Sequence, residues 1–184
     1  CQDKIMTTAG EGGMLVTDDD ELYRRAWEYK DHGRSIEAME RARLLGGHEF
    51  KQVVGSFGTN WRMTEVQAAV GLVQLGKLDG WVEARRHNAA VLEEQLAGVP
   101  GLRVVRPPQE AHHAYYKYYA YVEPAALASG WTRGRVLDEV SARGVVCLQG
   151  VSPEIYLERA FVDAGLAPAE RLPVVRELGE TSIM

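Results

Sequence analysis

Cysteine is scarce in this chain: Cys1 and Cys147 are the only two among 184 residues. Two thiols make neither a disulfide framework nor a metal motif, and none of the five histidines pairs with another at metal-ligand spacing. His112 and His113 are adjacent, which on a strand sends their side chains to opposite faces. No metal site is expected. Long apolar runs are missing too, none approaching the ~18–20 residues that a membrane span needs, and there is no signal peptide. A cytoplasmic protein with no membrane partner is therefore expected. Nor is there a basic excess: 21 Lys and Arg stand against 26 Asp and Glu, a net charge of −5, which argues against a nucleic-acid partner. Internal repeats and low-complexity segments are absent. The first residue is cysteine and not methionine, so a fragment or a processed product is expected.

What is present is an ordinary globular composition, 46% apolar and 26% charged, enough chain for one large or two small domains. The stretch around which it is organised is the first thirteen residues, Cys1-Gln-Asp-Lys-Ile-Met-Thr-Thr-Ala-Gly-Glu-Gly-Gly13. An apolar-then-threonine run at 5–8 reads as a short strand, and a glycine-rich turn leads to a second at 14–17. Lys4 then stands at the edge of a buried hairpin. Loss of hydration there lowers a lysine pKa and makes its amine nucleophilic toward an aldehyde. The alternative is a solvated charge near a chain terminus.

Beyond the hairpin, Asp18-Asp-Asp-Glu21 predicts a helix start, with Asp18 as N-cap and Glu21 as its reciprocal partner, and Gly33 supplies the stop. His32 then reads as a cation near a helix C-terminus. Residues 34–59 show little periodicity, with Gly46-Gly47, Gly55 and Gly58 scattered among polar residues, so a long connection is expected. Gly58-Thr-Asn-Trp-Arg-Met-Thr-Glu65 is chemically the anion-binding mouth of a helix. Thr64 is the N-cap and Gln67 its partner, with Asn60 and Arg62 beside the unpaired amides. Here Asn60 can instead make a local backbone bond and Arg62 a surface ion pair.

A long or nearly continuous helical stretch follows, running to Gly98-Val-Pro100, with Arg85, Arg86 and His87 read as a solvated face. Strands are expected at 102–105, 114–122 and 145–148. A helix capped by Thr132 runs to Arg143, a short one lies at 154–161, and another at 168–178. After Gly179 no closing element is expected.

Residues 1–17 and 58–65 resemble two motifs of the DegT/DnrJ/StrS-type sugar aminotransferases, a pyridoxal-phosphate family of fold type I. One is the lysine segment S-F-x-x-x-K-x-[IM]-[TS]-T-G-[EG]-G-G, from which Ala9 departs where glycines are common. The other is G-[YF]-N-x-R-[ML]-[TS]-[ED]. The resemblance implies an α/β fold comprising the C-terminal part of a cofactor-binding large domain with long connecting helices, residues 1–100. A small C-terminal α/β domain, 101–184, would follow, truncated at its end. It implies that Lys4 holds pyridoxal 5'-phosphate and shuttles the proton. It further implies that Asn60 reaches the cofactor phosphate of the neighbouring subunit with Arg62 close by, in a homodimer with composite sites. The substrates implied are a nucleotide-linked keto-sugar and, as amino donor, glutamate. Cofactor-dependent sugar dehydratases of the same family carry a histidine where Lys4 stands, and an isolated, non-catalytic fragment is the other alternative. Lys117 either meets the nucleotide side or faces solvent.

Overall fold

A computed structural model describes residues 1, 3–45 and 53–184. It is a mixed α/β structure that divides into two compact units, Cys1–Leu78 and Asp79–Met184. The division falls at the start of a helix that the resemblance assigns to the end of the large domain.

In the first unit, α1 (Asp20–Lys30) begins one residue later than the capping pattern suggests. Asp19 is the N-cap, its carboxylate accepting the Leu22 amide at 2.8 Å. Glu21 does not fold back toward the cap because Arg24 takes it, at 2.8 Å. The stretch expected as a bare connection contains α2 (Ile36–Leu44), capped by the Ser35 hydroxyl on the Ala38 amide at 3.2 Å. Gly46-Gly47 lie outside the described residues. The capping box of α3 (Glu65–Leu75) is present as expected, with the Gln67 amide on Thr64 Oγ1 at 3.3 Å and the Thr64 amide on Gln67 Oε1 at 3.4 Å.

The hairpin expected at 5–8 and 14–17 does not form: neither segment is a strand. A two-stranded ribbon needs a surface to bury against. Here the backbone of 8–12 is laid on α3 instead, and Met14 and Val16 remain more than four-fifths exposed.

The second unit opens with α4 (Leu78–Leu96), and Gly76 and Lys77 separate it in sequence from α3. Three antiparallel strands follow in the order β1 (Leu102–Val104), β2 (Ala120–Val122), β3 (Ser182–Ile183). β3 lies at 182–183, where the sequence predicts no strand. Ala120, Val122 and Ile183 form the buried core, covered by Leu102, Tyr118, Leu127, Leu137 and Cys147. Burial pushes the Cys147 thiol pKa up. α5 (Arg133–Ala142) is capped by Thr132 as expected. Pro173 sets the start of α7 (Pro173–Thr181) five residues beyond the expected one, because proline fits the first helical turn. The short helix at 154–161 is a 3-10 turn, Ile155–Leu157, followed by α6 (Arg159–Asp163).

Residues 114–119 are not strand. Arg85, expected in a solvated face, is half-buried and donates to the carbonyls of Tyr115 (3.3 Å) and Tyr116 (3.2 Å). Carbonyls so engaged are lost to a ladder, and Tyr115 sits at φ 45. Residues 145–148 form no strand either, although Leu148 exchanges two backbone bonds with Met184, at 2.9 and 2.7 Å.

Candidate active site

Two of the three sequence-derived site residues, Asn60 and Arg62, lie on one turn, whose position is dictated by the end of α1. The last carbonyls of a helix have no partners within it. The turn supplies them: the Thr59 amide donates to Tyr29 O at 2.7 Å and the Trp61 amide to Lys30 O at 2.9 Å. In return the His32 amide donates to Thr59 O at 2.9 Å, and Asp31 bridges Asn60. The backbones approach so closely that a Cβ on Gly58 would stand 2.3 Å from the Gly33 amide nitrogen. Only glycine fits there. Trp61 closes the contact with an edge-on ring pair to Tyr29, centroids 5.2 Å apart.

Asn60 is exposed, and its Oδ1 accepts the Arg62 amide at 3.3 Å. That local bond leaves its Nδ2 group without a partner among the described residues. Arg62 pairs with the carboxylate of Asp31, which is only 6% exposed and has Arg34 3.9 Å away on its other oxygen. His32 Nε2 lies 3.4 Å from Arg62 Nη2, a distance at which the ring nitrogen can accept from the guanidinium. His32 thus faces a cation where the sequence suggested only a helix end. Nothing in the sequence pattern singles out Asp31, whose burial depends on the fold.

Lys4 lies in an exposed turn at 3–6 rather than on a strand edge. The burial expected to dehydrate it is not supplied by the described residues. What ties its segment to the other motif is the glycine-rich run. Gln67 Nε2 donates to Glu11 O at 3.0 Å. A Cβ on Gly12 would lie 2.9 Å from Thr8 Oγ1 and 3.2 Å from Met63 Cε, and one on Gly71 would lie 3.1 Å from Thr8 Cγ2. Buried Thr8 is therefore wedged between the glycine run and α3. Thr7 Oγ1 is buried and has no hydrogen-bond partner among the described residues. Lys117, half-buried in the second unit, has its ammonium 5.5 Å from the Tyr116 ring centre.

As chemistry, the set comprises a primary amine, a donor-rich turn and the positive end of an eleven-residue helix. Within that helix end the capping box occupies the Thr64 and Gln67 amides, and the amides of Glu65 and Val66 have no partner among the described residues. By type, the amine suits an aldehyde and the donors suit an anion such as a phosphate. No cluster of three or more metal-ligating side chains occurs among the described residues. No helix among them is long and apolar enough to cross a membrane.

Residues 2–183 match the model of the DegT/DnrJ/EryC1/StrS aminotransferase family. The L-glutamine:2-deoxy-scyllo-inosose aminotransferase of Micromonospora echinospora is 36% identical over 122 residues, 66% of this chain and 29% of that protein. The dTDP-4-dehydro-2,6-dideoxy-D-glucose 3-dehydratase of Saccharopolyspora spinosa is 30% identical over 151 residues, 75% of this chain and 32% of that protein. Among solved structures, an aminotransferase from Psychrobacter cryohalolentis superposes with a TM-score of 0.91 at 44% identity, covering all of this chain and 48% of its own. This chain thus spans about a third of the curated relatives and about half of the solved one.

Proposed function

This chain belongs to the DegT/DnrJ/EryC1/StrS aminotransferase family, and we propose that it carries the catalytic lysine and the phosphate-binding turn of a pyridoxal-phosphate-dependent sugar aminotransferase. The acceptor is a keto-sugar linked to a nucleoside diphosphate and the donor is glutamate. The observation that supports this reading is the Gln67–Glu11 bond, with Thr8 packed between Gly12 and Gly71. It joins the lysine segment to the helix that the Asn60 turn opens. On this reading residues 1–100 close the cofactor-binding domain and 101–184 make the small domain.

When bound, pyridoxal phosphate supplies an aldehyde carbon and a conjugated ring that takes up electrons. Lys4 Nζ would hold that carbon. As a free amine it would serve as the general acid–base, moving a proton at the substrate carbon. Asn60 Nδ2 and the open amides of α3 orient the phosphate from the neighbouring subunit, so each site of the homodimer is composite. The Micromonospora relative is named for glutamine as donor and the Saccharopolyspora relative for a dTDP-linked sugar. The latter's name favours a dehydratase as the second reading; Lys4 opposes it, because the resemblance implies histidine there.

The test uses the complete polypeptide that carries this sequence, purified with pyridoxal 5'-phosphate. Wild type is expected to show the visible absorbance of lysine-bound cofactor, bleached on adding glutamate, and Lys4→Ala to lack it. A band that survives Lys4→Ala overturns the assignment.

A further inference from the structure

We propose that Asp31 is a positioning residue that sets the phosphate-binding turn through Asn60 and Arg62 without touching the cofactor. The inference rests on the cofactor reading above. Asp31 is a carboxylate almost withdrawn from water, and a buried carboxylate is costly unless a cation and hydrogen bonds meet it. Arg62 supplies that cation on one oxygen, and Arg34 stands 3.9 Å from the other. Between them they hold one side chain of the turn in a single direction. The backbone of the same residue bridges Asn60, so side chain and main chain of Asp31 act on both ends of a three-residue stretch.

The pair is buried on the Asp31 side only, Arg62 being 44% exposed, and the best-attested use of a buried charged group is to specify one arrangement. Here that arrangement has a particular consequence. With Arg62 held on Asp31, its own amide is presented to Asn60 Oδ1. That bond engages the carboxamide oxygen and leaves the NH2 group, the donor end, without a partner among the described residues. An asparagine left to rotate would offer an anion its oxygen as readily as its nitrogen. Asp31 thereby decides which end of Asn60 a phosphate meets.

The measurement compares affinities for pyridoxal 5'-phosphate and for pyridoxal, which lacks the phosphate, in the complete polypeptide. Four proteins are titrated: wild type, Asp31→Asn, Asn60→Ala and the double variant. Asp31→Asn is expected to weaken binding of the phosphate form about tenfold, the scale on which groups that orient a ligand-holding residue act, while pyridoxal binding stays unchanged. The loss should vanish in the Asn60→Ala background, since residues acting through one another are not additive. Arg62→Lys, which keeps the charge but loses the planar fork, is expected to reproduce the loss and guards against a folding defect in Asp31→Asn. Equal weakening for both ligands, additive losses, no change, or tighter phosphate binding by a released Arg62 would each overturn the proposal. If wild type itself fails to prefer the phosphate form, the cofactor reading falls, and this inference with it.

Discussion

Ala9 departs from the glycine of the motif that its segment resembles, and it sits at φ 58. A Cβ in the left-handed region clashes with the following carbonyl, at a cost of roughly 1–2 kcal/mol. Glycine removes the clash but loosens the unfolded chain, which returns about 0.4–1 kcal/mol of that gain. Ala9→Gly is therefore expected to stabilise the protein by up to about 1 kcal/mol, read as a higher midpoint in urea with an unchanged slope. The residues proposed to carry chemistry are legible by type. Lys4, Asn60 and Arg62 follow from two short motifs, and Thr64 with Gln67 from a capping pattern that is local by nature. Asp31 was not legible as a site residue, because its importance comes from burial and from a cation 31 positions away.

Among elements, two helix caps with local causes match the sequence, whereas a strand with a distant cause does not form. Thr132 caps α5 and Thr64 caps α3 because a hydroxyl reaches an amide three residues on. The strand expected across 114–119 fails for a reason thirty residues away, the guanidinium of Arg85 on two of its carbonyls. The helix at 36–44 was overlooked although Ser35 and the run Ile-Glu-Ala-Met-Glu-Arg-Ala-Arg-Leu signal it locally. A second long-range tie carries a pH dependence. Arg171 bonds Glu154, Tyr156 Oη donates to the same carboxylate at 2.6 Å, and the Leu172 amide donates to Tyr156 Oη at 3.0 Å. The Arg171 bond, aided by Tyr156, lowers the Glu154 pKa to about 2 from an ordinary value of 4.5. A carboxylate depressed in the folded state contributes stability above its unfolded pKa and loses it as pH falls through the folded one. Thermal melts of wild type and Glu154→Gln should thus differ above about pH 4.5 and converge as pH falls toward 2.

At the level of the whole molecule the two units differ in kind. The second has an apolar core on its sheet, whereas in the first Val53 is the only buried hydrophobic residue among those described. The first is organised by backbone bonds around the end of α1 and by the glycine run on α3, the segments that carry the proposed chemistry. If each site takes Lys4 from one protomer and Asn60 from its partner, inactive variants should complement. Co-expressed Lys4→Ala and Asn60→Ala chains, pairing at random, form hybrids in half of the dimers, each with one intact site of two. About a quarter of wild-type activity is then expected from two parents that have none. Activity that stays at the parental level would mean that both residues serve the same protomer's site.

The failed hairpin leaves one more consequence. Met14, Leu15 and Val16 lie open to solvent, and Asp18, Asp19 and Asp20 follow after a single threonine. An exposed apolar stretch with strand-forming residues is a template on which other chains can stack edge to edge. A block of like charge beside it makes every in-register pairing bring carboxylate against carboxylate. Wherever this stretch is open to solvent, the same aspartates that start α1 would oppose its edge-to-edge stacking.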